Sequence, residues 1–249
     1  MLKVFYCDLH IHTCLSPCAD LDMHPKALVE KALEAKLDII AICDHNSSEN
    51  VPYVIKAAEG KNLKILPGME ITTSEEVHLL AIFNSFSDLA KLQALVYQHL
   101  AGINDEQKFG VQAIVNEKGE VEGINDKLLI GATDLPLNEL LNYLHELNGL
   151  AIAAHIDRES FSVLSQLGFI DEKTNFDALE ITPATGFTQA RVKYRELSNY
   201  SFIMSSDAHY LKDIGTAATR IVLEEPTFAE LKMAFAGQNG RHILEQPRV

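Results

Sequence analysis

KVFYCDLHIH at residues 3–12 and LDIIAICDH at residues 37–45 are two short, largely apolar runs, and each ends in polar side chains. Short runs of this kind, bounded by polar residues, predict buried β-strands. Between them, residues 25–36 carry apolar side chains at helical spacing and a proline at the first position, where a helix favours it. Residues 3–45 are therefore predicted to form a strand–helix–strand unit whose polar residues lie where the strands end.

The same alternation continues along the rest of the chain. Strands alternating with helices indicate a mostly parallel α/β sheet, and about seven such units in 249 residues favour a closed barrel over an open sheet. The sequence contains no repeat, low-complexity tract or linker, so residues 1–249 are expected to form a single domain. Further strands are predicted near residues 63–70, 77–83, 150–154, 178–181, 202–205 and 220–223, and further helices near residues 51–59, 89–100, 137–147, 189–197 and 228–235.

One segment interrupts this alternation. VQAIVNEKGEVEGI at residues 111–124 predicts a strand, a turn at Lys118-Gly119 and a second strand. With its flanking helix and loop it forms a predicted insertion near residues 84–135. Two roles for the insertion are equally open: it caps the functional site, or it decorates the surface.

Composition limits the partners that we expect. The chain has 35 acidic and 21 basic residues and a net charge of −14, which disfavours duplex nucleic acid because phosphate contacts need clustered Lys and Arg. A small phosphorylated substrate remains compatible with this charge. No apolar run approaches the ~20 residues of a membrane span, and the first residues lack the pattern of a signal peptide. All four cysteines lie within the first 43 residues, which is typical of reduced thiols, so we expect a cytoplasmic protein with no membrane partner. The sequence leaves the oligomeric state open.

Metal-ligating residue types follow almost every predicted strand. Alternate residues on a strand point to the same side, so His10 and His12 are expected to point together. In a parallel barrel the carboxyl ends of the strands meet at one face, where His, Asp and Glu from several strands would form a site for more than one metal ion. The candidate ligands at strand ends are His10, His12, His45, Glu70, His155, Asp207 and His209, and His78 lies near the start of the fourth strand.

Five segments in this order resemble the PHP (polymerase and histidinol phosphatase) family of metal-dependent phosphoesterases, in particular its stand-alone members. They are DLHIHT (8–13), ICDHNS (42–47), PGMEITT (67–73), AAHIDR (153–158) and SSDAHY (205–210). The resemblance implies a distorted (β/α)7 TIM-like barrel with two or three divalent metal ions (Mn, Fe or Zn) at its C-terminal face. It also implies that Glu70 bridges two metals and that His78 binds a third.

The loop at residues 14–25, CLSPCADLDMHP, holds one more expected ligand. The family usually has an aspartate a few residues after the HxH pair, and counting back from Pro25 selects Asp20, with Asp22 as the competitor. The alternative is that both are loop acids favoured by the N-terminus of the next helix. Cys14 and Cys18 flank this loop, and a zinc site or disulfide between them is disfavoured in a chain with no second thiol pair.

The expected activity is hydrolysis of a phosphate ester of a small metabolite or nucleotide by metal-activated water. Glu70, Asp207 and His209 are the expected catalytic residues. Arg158 is expected to orient the phosphate because it matches the arginine of a family segment, although pairing with a neighbouring acid would make it structural. Arg191 is a second candidate for substrate binding.

Three other functions remain open at this point. One is a histidinol-phosphate phosphatase, which performs the same chemistry on one ester. Another is a 3′-5′ exonuclease on single strands, which the acidic charge disfavours. The third is a regulatory module that binds metal without turnover, which the complete set of ligands disfavours.

Overall fold

The structure is a computed structural model in which residues 1–171 and 174–245 are described. Every predicted strand and helix is present, and α4, α6 and β11 are additional elements too short to show a periodic pattern. The strands are β1 (Lys3–Ile11), β2 (Ile39–Ile42), β3 (Lys64–Thr72), β4 (His78–Ile82), β5 (Ala113–Val115), β6 (Val121–Ile124), β7 (Leu150–Ala153), β8 (Ala178–Glu180), β9 (Phe202–Ile203), β10 (Thr219–Leu223) and β11 (His242–Leu244). The helices are α1 (Pro25–Glu34), α2 (Val51–Ala57), α3 (Phe86–His99), α4 (Glu106–Phe109), α5 (Leu137–Glu146), α6 (Val163–Leu167), α7 (Gly186–Lys193) and α8 (Phe228–Phe235).

The main sheet closes almost completely into a barrel. Its strand order is β11-β10-β1-β2-β3-β4-β7-β8-β9. Isolated bridges then join Ser205, which follows β9, to Ala218 before β10, and Ala208 to Ile11 at the end of β1. The β9 edge therefore returns to the strands at the other side of the sheet, which confirms the predicted distorted TIM-like barrel.

The barrel is less parallel than the alternation of strands and helices indicated. β1-β2, β2-β3, β7-β8 and β8-β9 pair in parallel, whereas β4 runs antiparallel to both β3 and β7, and β10 runs antiparallel to β1 and β11. The connection between β3 and β4 is residues 73–77, which is too short for the crossover that parallel strands need. Because β4 is reversed, its first residue lies beside the last residue of β3.

Two apolar cores pack on the two faces of the sheet. Alternate residues of β2 show the division: Ile39 and Ala41 belong to the core inside the barrel, and Ile40 and Ile42 belong to the core between the sheet and its helices. Helix α8 contributes apolar side chains to the inner core. A strand buried on both faces needs apolar residues at consecutive positions, which is why β2 is an unbroken apolar run.

The predicted hairpin forms outside the barrel. β5 and β6 pair antiparallel as a separate two-stranded sheet, with Ala113 opposite Ile124. Gly119 in its turn has a φ of 89°, a conformation that side-chain-bearing residues rarely adopt. No helix in the described part of the chain is both long and apolar enough to cross a membrane.

Candidate metal centre

A change of register in strand β1 directs His10, and His12 just after the strand, toward the inside of the barrel. Leu9 packs in the inner core, whereas Ile11 packs in the outer one. The pairing of β1 with β2 shifts between Asp8 and Ile11, as at a β-bulge, and bulges near active sites re-aim side chains in this way. The ring nitrogens His10 Nε2 and His12 Nε2 consequently lie 3.1 Å apart, as the HxH spacing predicted.

The Glu70 carboxylate lies at the centre of the histidines. The residue is 1% exposed, and its two oxygens face different sets of rings. Oε2 lies 3.4, 3.4 and 3.1 Å from ring nitrogens of His10, His12 and His45, and Oε1 lies 2.8 and 3.3 Å from ring nitrogens of His78 and His155. A carboxylate that faces two separate groups of ligands in this way has the arrangement of a bridging ligand.

Asp207 and His209 complete the ring of side chains. Asp207 Oδ1 lies 3.3 Å from His10 Nε2 and 3.1 Å from His12 Nε2. The His209 ring stacks on the His12 ring with centroids 4.2 Å apart. We call the whole set the Glu70 cluster: His10, His12, His45, Glu70, His78, His155, Asp207 and His209.

The donor atoms of the Glu70 cluster fit divalent metal ions. The Nδ1 atoms of His45 and His78 are buried and face Glu70 oxygens, yet neither has a hydrogen-bond partner in the described chain. Buried polar atoms normally have such a partner, so these nitrogens are suited to binding a ligand. Imidazole and carboxylate groups suit manganese, iron and zinc alike. Three overlapping triads hold their candidate ligand atoms within 4.8 Å of one another: His12-His45-His209, His10-His12-Glu70 and His45-Glu70-His78.

The electrostatics divide the histidines into two groups. Burial lowers the pKa of His12, but hydrogen bonds to Asp207 and Glu70 outweigh that effect and raise the pKa to about 9. Burial and the nearby charge of His12 instead lower the pKa of His209 to about 4. Burial also lowers the pKa of His10, but the neighbouring carboxylates outweigh that effect and raise this pKa well above its usual value. A metal ion binds only the neutral ring, so binding at His10 or His12 would require loss of a proton.

Two supporting groups orient the rings of His10 and His12. Glu180 Oε2 lies 3.0 Å from His10 Nδ1 and also accepts a hydrogen bond from the His155 backbone N–H at 3.1 Å. Ser16 Oγ lies 2.9 Å from His12 Nδ1 and donates to Asp44 at 2.7 Å. Both Nδ1 atoms thus find acceptors, which leaves the Nε2 atoms directed at the cluster.

Sequence reasoning missed these supporting residues, although one signal for Glu180 was available. It is a charged residue in the otherwise apolar strand β8, and it is 2% exposed. A carboxylate in a strand buried on both faces needs a polar partner inside the protein. Ser16 had no comparable signal, because a serine in a loop is common.

Asp20 is not among the residues that the structure brings together in the triads. It is exposed, and its Oδ1 accepts a hydrogen bond from the Asp22 backbone N–H at 2.9 Å. Its own backbone N–H donates to the His209 carbonyl at 2.9 Å, so the loop passes beside the cluster. The role of Asp20 as a ligand stays a prediction, with Asp22 as the alternative.

The two candidate arginines lie in different surroundings. Arg158 forms an ion pair with Asp207 Oδ2 at 2.6 Å, so the structure places it at the Glu70 cluster and not on Asp157 or Glu159. Arg191 forms an ion pair with Glu245 and lies over the Phe202 ring at 4.3 Å. The structure therefore brings Arg158 but not Arg191 to the cluster, and a substrate role for Arg191 stays a prediction.

The four cysteines are free thiols. Burial raises the pKa of the Cys14 thiol to about 12, whereas Cys18 is exposed. Metal ligands and redox pairs need the thiolate form, which this shift disfavours at Cys14. Cys14 instead packs against Ala113 and Val115 of the hairpin.

Comparisons with known proteins show what the chain is similar to. A family model described as the PHP domain matches residues 8–158. The 5′-3′ exoribonuclease Rnm of Salmonella typhimurium is 34% identical over 85 residues, which cover 33% of this chain and 28% of Rnm. The endonuclease PfuEndoQ of Pyrococcus furiosus superposes with a TM-score of 0.75 at 19% identity, over 97% of this chain and 58% of that chain. This chain thus spans less than two thirds of either protein.

The expectation that duplex nucleic acid is excluded as a partner is wrong. A structure of Endonuclease Q in complex with a 27-mer duplex substrate superposes with a TM-score of 0.72 at 19% identity, over 97% of this chain and 58% of that chain. A protein that contains a barrel of this fold therefore binds duplex nucleic acid, and the net charge of −14 alone does not exclude such a partner. Net charge is a sum over the whole surface, whereas phosphate contacts depend on the charges near the site.

Proposed function

The chain belongs to the PHP domain family of metal-dependent phosphoesterases, and on that premise we propose that it hydrolyses a phosphoester bond at the Glu70 cluster. The observation that carries the proposal is the position of Glu70, whose two carboxylate oxygens face different sets of histidine nitrogens. A carboxylate with a structural role would need one or two hydrogen-bond partners, whereas a carboxylate that bridges two metals needs further ligand residues beside each of its oxygens. The proposed cofactors are two or three divalent ions of manganese, iron or zinc.

The proposed ligands are the members of the Glu70 cluster, with Asp20 as a further ligand from the neighbouring loop. Bound divalent ions would supply charge neutralisation on the phosphate and an activated water. Glu180 and Ser16 keep the Nδ1 positions of His10 and His12 occupied, so that both rings present Nε2.

Asp207 and His209 are the proposed catalytic residues beside Glu70. His209 Nδ1 lies 2.8 Å from the Asp207 backbone carbonyl, which only accepts hydrogen bonds, so Nδ1 carries the ring proton. The lone pair of His209 is therefore at Nε2. Burial lowers the pKa of the His209 ring and so favours its neutral form, in which this lone pair can bind a ligand or accept a proton.

Arg158 is the proposed phosphate-binding residue. Its side chain is 46% exposed while one guanidinium nitrogen pairs with Asp207, so it lies at the boundary between the cluster and solvent. Guanidinium groups bind phosphate oxygens through charge-assisted hydrogen bonds. A phosphate at the cluster would meet Arg158 at the rim.

The proposed substrate contains a nucleotide. Rnm is by name a 5′-3′ exoribonuclease, and the Endonuclease Q complex holds a duplex with an abasic lesion at its active site. These names favour a nucleotide or nucleic-acid phosphoester over an ester such as histidinol phosphate. The polarity in the name of Rnm is opposite to that of the 3′-5′ exonuclease weighed from the sequence.

We also propose that residues 1–249 form one barrel domain in which residues 84–135 are an insertion that braces the loop after His45. Asn46 Nδ2 donates to the carbonyls of Leu129 and Gly131, each at 2.8 Å. Asn50 Nδ2 donates to the Ala113 carbonyl at 3.1 Å. Gln112 and Asn125 hold the insertion itself, because Gln112 Nε2 donates to the Asn125 carbonyl at 2.7 Å. We call Asn46, Asn50, Gln112 and Asn125 the amide network, and they favour bracing over mere surface decoration.

A metal-replete activity screen tests the proposed function. The substrates are adenosine 5′-monophosphate, adenosine 3′,5′-bisphosphate, ribose 5-phosphate, histidinol phosphate, and end-labelled single-stranded and duplex oligonucleotides. We expect hydrolysis of at least one nucleotide-containing substrate, its loss on chelation and its return with added metal. Hydrolysis of histidinol phosphate alone would contradict the proposed substrate. Absence of hydrolysis across the panel, with metal content verified, would contradict the activity.

A further inference from the structure

Phe161 is an exposed aromatic residue that touches the Glu70 cluster. Its ring stacks on the His78 ring with centroids 4.7 Å apart and an interplanar angle of 20°. The residue is nevertheless 40% exposed, so the ring covers a proposed ligand and still meets solvent. Among the exposed aromatic side chains of residues 1–171 and 174–245, Phe161 is the one that stacks on a cluster histidine.

The backbone holds Phe161 in an unfavourable conformation. Its φ is 57°, in the left-handed region that bulky residues rarely adopt. The Phe161 carbonyl accepts a hydrogen bond from the His78 backbone N–H at 2.9 Å, which ties this position to the start of β4. Unfavourable backbone conformations that a fold maintains are concentrated at binding and catalytic sites.

Phe161 and Arg158 lie on one short segment at the rim of the cluster. Ser162 Oγ donates to the Arg158 carbonyl at 2.8 Å, and the Arg158 backbone N–H donates to the His155 carbonyl at 3.0 Å. This segment therefore presents a cation and an aromatic ring from a fixed backbone. A phosphate held by the metals and Arg158 would have the group attached to it close to the Phe161 ring.

We propose that Phe161 is a stacking platform for a base of the substrate, so that Arg158 and Phe161 together form a nucleotide subsite. The proposal rests on the proposed function, because it requires the phosphate to bind at the Glu70 cluster. Aromatic side chains stack on any base, since each base has a π-face, so this subsite recognises the presence of a base and not its identity. Phe161 is in this view a specificity-determining residue that separates nucleotides from other phosphate esters.

The test compares two ligands that share a ribose and a phosphonate, of which only one carries a base. The probes are phosphonate analogues of adenosine 5′-monophosphate and ribose 5-phosphate, in which a methylene replaces the ester oxygen and prevents hydrolysis. Calorimetry on the metal-loaded enzyme gives the dissociation constant of each. We expect the adenosine probe to bind at least about tenfold more tightly, from stacking. In Phe161→Leu this ratio should fall to near one, and in Phe161→Tyr it should remain.

Phe169→Leu is the matched control, because Phe169 is 65% exposed and has no ring contact with the cluster in the described structure. In Phe169→Leu, the ratio of the affinities for the two probes should equal that of the wild type. Equal affinity of the wild type for both probes would overturn the proposal. So would a Phe161→Leu protein that loses metal or weakens both probes equally, because Phe161 would then only support His78. Binding needs no turnover, so an enzyme that hydrolyses nothing contradicts the proposed function and not this result.

Discussion

Two buried polar regions lie next to each other in this molecule, and they satisfy their polar atoms differently. In the amide network, Asn46 donates to two carbonyls of the insertion and accepts from the Thr72 backbone N–H at 3.1 Å. In the Glu70 cluster, Nδ1 of His45 and of His78 face a carboxylate without a hydrogen-bond partner in the described chain. A buried region that completes its own hydrogen bonds is structural, whereas one that leaves ring nitrogens unpaired around carboxylates is prepared for a ligand.

The largest effect is expected when the bridging carboxylate is neutralised. Glu70→Gln keeps the shape of the side chain but removes the charge that binds cations on both sides. We expect bound metal to fall and kcat to drop at least about 100-fold, equivalent to about 2.7 kcal/mol. Elemental analysis and steady-state kinetics measure both quantities. A variant with wild-type metal content and rate would remove Glu70 from the centre of the site.

A substitution in the amide network should lower the stability of the protein and leave its metal content unchanged. Asn46→Ala leaves two carbonyls and a backbone N–H without their side-chain partner, and Asn46 also has a φ of 48°, which alanine tolerates less well. We expect the free energy of unfolding to fall by about 2 kcal/mol, measured by urea denaturation of the chelated protein.

Asn239→Ala is the matched control for this experiment. Asn239 is exposed and has a φ of 52°, so its substitution carries the backbone cost without the buried hydrogen bonds. Asn239→Ala should lower the free energy of unfolding clearly less than Asn46→Ala does. If Asn46→Ala lost metal while its stability stayed at the wild-type level, the distinction between the two regions would fail.

Glu180 shares features of both regions, because its Oε2 is hydrogen-bonded while its buried Oε1 has no partner in the described chain, and it supports a proposed ligand. Glu180→Gln weakens the charge-assisted hydrogen bond to His10 Nδ1. Metal affinity should fall by roughly 10-fold or more, as for other residues that orient metal-binding histidines. Competition with a chelator of known affinity measures the change. Glu230→Gln alters a buried carboxylate that pairs with Arg241, and it should leave metal affinity at the wild-type value.

The smallest effect is expected at the rim. Arg158→Ala should retain the metals, because arginine is not a ligand, and should lower kcat/KM by about 10-fold, or about 1.4 kcal/mol. Arg158→Lys should recover part of the loss, because lysine keeps the charge but not the planar fork. Arg195→Ala, at another exposed arginine, serves as the control. Unchanged kcat/KM in Arg158→Ala would restrict this residue to its ion pair with Asp207.

The strand-end residues could be predicted from sequence because a parallel strand places its last residues at one face of the barrel. His78 follows the same geometry from the opposite direction, since β4 is antiparallel and its first residue lies beside Thr72 at the end of β3. The short connection at residues 73–77 is compatible only with antiparallel pairing of β3 and β4. The alternation of strands and helices along the chain instead indicated parallel pairing.

Other parts of the site have no local pattern. The register shift that turns His10 inward arises from the pairing of β1 with β2, which involves residues distant in sequence. The contacts of Asn46 with Leu129 and Gly131 likewise join separate segments, and an asparagine after a strand is equally typical of an ordinary turn. Periodicity shows which residues face a core, whereas polar contacts across the fold depend on the tertiary structure.

Metal stoichiometry tests the central claim most directly. The protein should be purified without chelators, loaded separately with manganese, iron and zinc, and freed of unbound ions before elemental analysis. Because the two oxygens of Glu70 face separate sets of histidine nitrogens, we predict at least two ions per chain with one or more of these metals. One ion or fewer per chain with every metal would contradict a bridging Glu70 and the catalytic centre built around it.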